Sequence, residues 1–574
     1  MRSPRRWGRL ASAAPFVVGS LILVGSPAFA DQPLAPNDPT RALPPAASKS
    51  APLDVHSGQA TGGPQDTAPR LVLQGVVFDG ATTLSQRKLR SAWSAYAGKA
   101  VSLADLRTIG RGAETLYSLA GYPFVAVVLR VQQVRDGIVH YDVVEGRISD
   151  LTVLGSSRTA RRQATAALSR IVNKSPLPLT DVEAAYQSAK DVPGLSVSGT
   201  LRRGSQPGGM DLVVATQRQE WRTYLNVNDL YADDVGPWGV LFGIDHFGDS
   251  EFGDQLSAQI YTSVPAGRQV LVRGSYAYRL NGSGTTVTIS GLWGQANPQS
   301  ALSVLALVQD VASIRAEVAQ PLVDLPDAKL QTDLALEGSN QRTNVFGTFK
   351  LSDDRLRDVS ISLAGEKHGR FGRLAASFEV HSDVPFFGAS QPGDPDLSRF
   401  GADPRALILR GGAEAETATF AHLRFDVRVD TQWTASILAV PDQYAVGNLT
   451  VGRGYQPGAA LGDRALAGSA ELRAGPFDVG HKVEVEPFLF TDIVDLWNIG
   501  PAPFGHRQLQ SAGGGVRFQV DHKAHLDLLC AAPFVPALGL GDHTPSPVVL
   551  MNLTFTLDDA FSAIHRKLFH GSGS

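Results

Sequence analysis

The sequence predicts an exported protein in two parts: small α+β units, then an all-β transmembrane barrel of about sixteen antiparallel strands. Three observations carry this. An export signal stands at the N-terminus. A β-α-α-β-β order occurs twice before residue 218. From there to residue 574 the chain is a series of short segments alternating polar and apolar residues, broken by Gly, Pro, Asn and Asp.

Residues 1–30 are read as a signal peptide. Arg2, Arg5, Arg6 and Arg9 form a positive n-region, residues 13–25 a short apolar h-region, and Ala28-Phe29-Ala30 a small-x-small cleavage site. Residues 31–69 carry Pro33, Pro36, Pro39, Pro44 and Pro45 without hydrophobic period and are expected to be a disordered or extended linker.

The first unit covers residues 70–147. Leu71-Val72-Leu73 starts a strand. Leu84, Leu89, Trp93 and Tyr96 suggest a helix over 84–96, and Leu103 through Leu119 a second over about 102–120. Val125–Gln132 and Val139–Val144 read as strands around the turn Asp136-Gly137. Residues 148–217 repeat the order: a strand at 148–154, helices near 159–172 and 180–191, then a hairpin from 195 to 216. Two tandem units of one order suggest duplication.

In the barrel region the alternation is explicit. His422, Arg424, Asp426, Arg428, Asp430 and Gln432 interleave with Leu423, Phe425, Val427, Val429, Thr431 and Trp433. Residues 357–364, 374–381 and 549–557 show the same period. A soluble β-sandwich also alternates, but charged faces behind an export signal favour a barrel with a wet lumen.

Composition narrows the functions. A formal net charge of −3 argues against a nucleic-acid binder, and the single cysteine, Cys530, excludes a disulfide framework and a cysteine-based zinc site. Gly110-Arg111-Gly112 lacks the third glycine of a dinucleotide fingerprint, and no phosphate-binding GxxxxGK[ST] occurs. No catalytic residue, metal site, nucleotide or cofactor is expected. Asp463 could be a catalytic carboxylate, but without a partner it reads as a turn residue.

Several short motifs in order resemble the outer-membrane transporters of two-partner secretion, the haemolysin secretion/activation proteins of the ShlB, FhaC and HecB type. In the first unit they are Leu116-Tyr117, Gly121-Tyr122, Asp136-Gly137 and Val143-Val144-Glu145-Gly146; in the second, Asp191-Val192-Pro193-Gly194. Within 439–473, Arg453-Gly454-Tyr455 match the tip of a long loop at about 439–465 that folds back into the barrel in that family, and Gly462-Asp463 match the Gly-Asp that follows it. Phe490 and Asp492 match a Phe-x-Asp-x-Gly motif of the barrel wall, with Val494 in place of its glycine.

The resemblance implies that 70–147 and 148–217 are polypeptide-transport-associated (POTRA) domains in the periplasm and 218–574 a barrel in the outer membrane of a Gram-negative cell. It also implies an Arg453–Asp492 ion pair in the lumen. The partner it implies is a secreted exoprotein, large and β-helical, threaded through the pore beside outer-membrane lipid. The strand period of 482–492 puts Glu484 and Glu486 with Asp492 on the lumen face. Glu471 and Arg473 are expected as further lumen charges. Alternative functions are a barrel-assembly factor, which usually carries more POTRA repeats, and a passive porin or receptor, which needs none.

Overall fold

The computed structural model describes residues 53–55, 71–299, 303–500, 505–521, 523–537 and 546–558. The expected signal peptide and most of the expected linker lie outside these. Among the described residues no helix is long and apolar enough to cross a membrane.

The strands from Trp221–Asn228 to Val548–Thr556 form one closed antiparallel barrel, each paired with its sequence neighbour. Sixteen of them cross. The short Phe477–Val479 segment continues the strand Arg464–Ala474 toward Val483–Trp497. Closure comes from Trp221–Asn228 pairing with Val548–Thr556, Tyr224 opposite Thr556 through Asn228 opposite Asn552. Alternation sets the two faces. In Leu423–Thr434, Asp426, Asp430 and Gln432 are buried in the lumen, while Leu423, Phe425, Val429 and Trp433 are exposed on the outside. A row of exposed Trp, Phe, Leu and Ile over buried Asp, Glu, Arg and Gln inverts a soluble protein, as lipid outside and water inside require.

The part before residue 218 holds two α+β units. The first has a sheet ordered Gly75–Asp79, Ile138–Val144, Ala126–Leu129 against the helix Leu103–Leu119. Ser102 caps that helix, accepting from Asp105 N while Asp105 accepts from Ser102 N. The helix expected over 84–96 is instead one turn, Gln86–Leu89, and two 3₁₀ turns. Trp93 leaves the helical region (φ −128°), and Ala92, Trp93 and Tyr96 then all pack on the core of Leu84 and Leu89. The strand expected over 125–132 stops at Leu129.

The second unit packs the helices Arg158–Leu168 and Leu179–Lys190 on a sheet formed by Arg147–Leu154, Gly209–Arg218 and Leu195–Arg203. Within the expected linker, Asp54–Val55 adds to the Leu195–Arg203 edge as a parallel strand. The two units meet where Leu179 N donates to Gly121 O (3.0 Å), Leu177 N to Gly146 O (3.1 Å) and Ser175 Oγ to Glu145 O (3.0 Å). The second unit is bolted to the periplasmic turns of the barrel. Arg218 Nη2 donates to Phe247 O (2.6 Å), Gln163 Nε2 to Ser250 O (2.9 Å), and Arg279 Nη1 to Ser188 O (2.8 Å).

Candidate functional site in the barrel lumen

Between the strands Leu423–Thr434 and Arg464–Ala474 the chain enters the lumen as residues 435–463. A short hairpin, Tyr444–Val446 against Ala460–Gly462, stiffens its two arms. Its apolar side chains Tyr444, Val446, Val451, Tyr455 and Ala460 pack against Ala465, Ala467, Val494, Leu496 and Leu509 of the wall. Val494, which stands where the motif has glycine, is fully buried in this contact.

Arg453 sits at the tip. Its backbone N donates to Asp492 Oδ2 (2.8 Å), its Nε to the same oxygen (3.1 Å) and its Nη2 to Oδ1 (2.8 Å). Nη1 donates to Glu471 Oε2 (2.6 Å), and Nη2 also meets Ser469 Oγ (2.9 Å), which itself donates to Asp492 Oδ1 (2.8 Å). The guanidinium carbon lies 3.7 Å from the centroid of Phe490. A planar fork matched to a carboxylate and laid on a ring face suits arginine and not lysine.

The glycines on either side make this geometry possible. Gly452 has φ +109°, its N donates to Asp492 Oδ2 (3.3 Å), and a Cβ there would lie 2.5 Å from Val446. Gly454 has φ +95° and faces Ala531 and Pro533. Asn448 Oδ1 accepts from Gly454 N (2.8 Å), and Asn448 N donates to Tyr455 O (2.8 Å). The buried Tyr455 hydroxyl lies 2.8 Å from the carbonyl oxygens of both Gln510 and Val535, and it donates to one at a time.

The carboxylates in contact with the tip are shared among several guanidiniums. Glu471 also meets Arg473 Nε (2.7 Å) and Arg517 Nη1 (2.8 Å). Glu486 meets Arg517 (3.3 Å) and Arg424, while Glu416 takes up Arg473 (3.3 Å) and Arg424 (3.6 Å). Glu484 is not brought here; it is exposed near the periplasmic end of its strand.

Asp463 fastens the base of the loop. Fully buried, it accepts from Leu438 N (3.0 Å), Ile499 N (2.7 Å), Gln443 Nε2 (3.3 Å) and the Arg399 guanidinium. Gly462 precedes it in the return strand. Sequence reasoning missed Arg399, Asn448 and Ser469. The strand period shared with Glu471 would have put Ser469 in the lumen; no pattern marked the other two.

In the periplasm the remaining motif residues form turns and a lock. Asp136 and Gly137 (φ 52° and 69°) turn the chain into Ile138–Val144, and Gly137 O accepts from Gln74 N (2.8 Å). Gly121 ends the helix Leu103–Leu119, and Tyr122 N donates back to Tyr117 O (2.9 Å). Glu145 accepts from Thr82 N (2.9 Å), Thr83 N (2.7 Å) and Tyr117 OH (3.2 Å). Burial pushes its carboxyl upward, but the Thr82 and Thr83 hydrogen bonds outweigh this and hold it below its ordinary value. Burial and the charge of Glu145 push Tyr117 up to about 12. Gly146 follows, its carbonyl accepting from the second unit.

Residues 71–146 match the family described as POTRA domain, ShlB-type, and residues 325–518 match that of the haemolysin secretion/activation protein ShlB/FhaC/HecB. The outer membrane transporter CdiB of Dickeya dadantii (strain 3937) is 25% identical over 140 residues, a segment spanning 24% of either chain. Among solved structures, CdiB from Escherichia coli superposes with a TM-score of 0.71 at 16% identity, covering 88% of this chain and 94% of that one. CdiB from Acinetobacter baumannii does so with 0.61 at 14% identity, covering 87% and 94%. At these identities the superpositions establish the shared fold.

Proposed function

Because this chain is an outer-membrane transporter of the ShlB/FhaC/HecB two-partner secretion family, with its POTRA domain in the periplasm, we propose that it is the pore for one secreted exoprotein. The unit at 148–217 acts as a second POTRA domain. Together the two units capture an unfolded, TpsA-type chain and deliver it to the barrel mouth. β-Strand addition is the mode, since it reads backbone and tolerates varied side chains. The pairing of Asp54–Val55 with Leu195–Arg203 supports this by displaying a sheet edge that accepts an extended strand.

The observation that carries the reading is the pinned loop. A polar lumen with paired charges is hydrated and weakly adhesive, and a segment held in it by one tip residue can be released to open a path. Folding of the exported chain outside supplies direction. Arg453, Gly454 and Tyr455 form the anchor, Phe490 and Asp492 its seat, and Gly462 and Asp463 its base.

Removal of residues 71–217 tests this. The shortened chain is expected to retain heat-modifiable gel mobility, the sign of an inserted barrel. One large protein is expected to vanish from the medium. Undiminished secretion would refute the receptor role of the periplasmic units. A general loss of outer-membrane barrels would indicate an assembly factor, and a change of permeability alone a porin.

A further inference from the structure

A second cluster lies in the lumen near the extracellular end, away from the Arg453 tip. Asp358 comes from the strand Phe349–Gly369, and His381 and Asp383 from Gly372–Asp383. The register sets Asp358 opposite Asp383 and Ser360 opposite His381, so the three side chains share the lumen face. One ligand atom from each lies within 4.8 Å of the other two. His381 Nε2 is 3.4 Å from Asp383 Oδ1, and Nδ1 is 3.7 Å from Asp358 Oδ1.

The cluster is buried and unsatisfied. The Asp383 side chain is 0% exposed and that of His381 8%. Among the described residues neither Asp383 oxygen nor His381 Nε2 has a protein hydrogen-bond partner. Such groups are costly in the interior unless something neutralises them.

Arg410 and Arg315 are near enough for Asp383 and Asp358 to feel their charge, but neither pairs with them. Arg315 is taken by Glu317 (2.8 Å) and Glu337 (3.5 Å), and Arg410 by Glu379 (3.1 Å). Among the described residues no Lys or Arg pairs with Asp358 or Asp383. Asp442, in the first turn of the inward loop, adds a further buried carboxylate whose charge Asp358 feels and which itself feels the charge of Asp383.

We propose that Asp358, His381 and Asp383 bind a divalent cation of the zinc class. An imidazole among carboxylates selects zinc or manganese over calcium and magnesium, which take oxygen ligands alone. One imidazole nitrogen reaches one cation, and ligand bonds of about 2.0–2.2 Å set ligand atoms roughly 3.3–3.5 Å apart. The three atoms, now within 4.8 Å of one another, therefore close by up to about an ångström or slightly more on binding. Three protein ligands leave a position that Asp442 or water can fill. The cation offsets the carboxylate excess and ties the wall beside Asp442 to the root of the loop. It is independent of the exported cargo.

The test uses the full-length protein without a histidine tag, purified in detergent and dialysed against ZnCl₂, MnCl₂, CaCl₂ or MgCl₂. Metal per chain is measured by mass spectrometry, and affinity by calorimetry. We expect one zinc per chain, displaced by EDTA, and binding at least tenfold weaker in Asp383→Asn and in His381→Ala. Heat-modifiable mobility confirms that each variant is folded, with Asp358→Asn replacing any that is not. An Asp521→Asn control at an exposed turn should bind as wild type. Absence of zinc and manganese binding at millimolar metal, equal binding in the ligand variants, or stronger binding of calcium or magnesium would each overturn the proposal.

Discussion

The barrel holds two ionic clusters in one lumen, built on opposite principles. Around Arg453 the carboxylates that touch the tip and their neighbours meet guanidiniums: Asp492 and Glu471 meet Arg453, Glu471 also meets Arg473 and Arg517, and Glu486 meets Arg424 and Arg517. Around His381 the aspartates face one another across a single imidazole. The difference teaches that burial alone does not define the role of a lumen charge. A balanced cluster is an internal fastener. An unbalanced one invites a proton or a cation from outside the chain.

The largest effect should therefore come from unbalancing the first cluster. Asp492→Ala removes three acceptor contacts of Arg453 and leaves its guanidinium to Glu471 and Ser469. Removing one partner of a buried pair costs ~3–5 kcal/mol, toward the low end where water enters. The temperature at which the purified barrel loses its folded gel mobility should fall by several degrees. Asp383→Asn should do the reverse when EDTA is present. Neutralising a carboxylate that has no partner relieves its desolvation cost, so mobility should persist to a higher temperature by the equivalent of ~1–3 kcal/mol. A fall there would mean the two clusters are not different in kind.

Glu145 offers a balanced site outside the membrane. Its carboxyl is held below the ordinary value, so its stabilisation is fully present above the unfolded-state value of about 4.3 and is lost as pH falls through the lower folded-state value. Glu145→Gln should cost ~1–3 kcal/mol at neutral pH. The deficit should shrink as the medium is acidified below that range. Proteolysis across the junction of the two units, followed against pH, measures it. Glu484→Gln should change least, within about 0.5 kcal/mol, because this exposed strand-end charge has no ion-pair partner among the described residues.

The legibility of these regions in the sequence differed for physical reasons. Strand period is local, so the barrel and the lumen side of Asp492, Glu471 and Glu486 could be read directly. The seat of Arg453 came from resemblance, and its third contact, Ser469, lay in a period that could have shown it. Arg399, which holds Asp463 from residues 384–406, carries no period because irregular chain has none. The helix over 84–96 failed because Trp93 and Tyr96 satisfy the core better through 3₁₀ turns than along one helical face. His381 gave no metal signal, since its two partners share the lumen only through register and the even spacing of 381 and 383 is common to any strand.

The central claim is that Arg453 and Asp492 act as one fastener holding the loop in the lumen. Single-channel conductance in planar bilayers tests it without knowledge of the cargo, across wild type, Arg453→Ala, Asp492→Ala and the double variant. If the pair is the fastener, either single change should raise conductance and the double variant should match the larger single effect. Conductance unchanged in the single variants, or increases that add in the double variant, would show that the two residues do not hold the loop together.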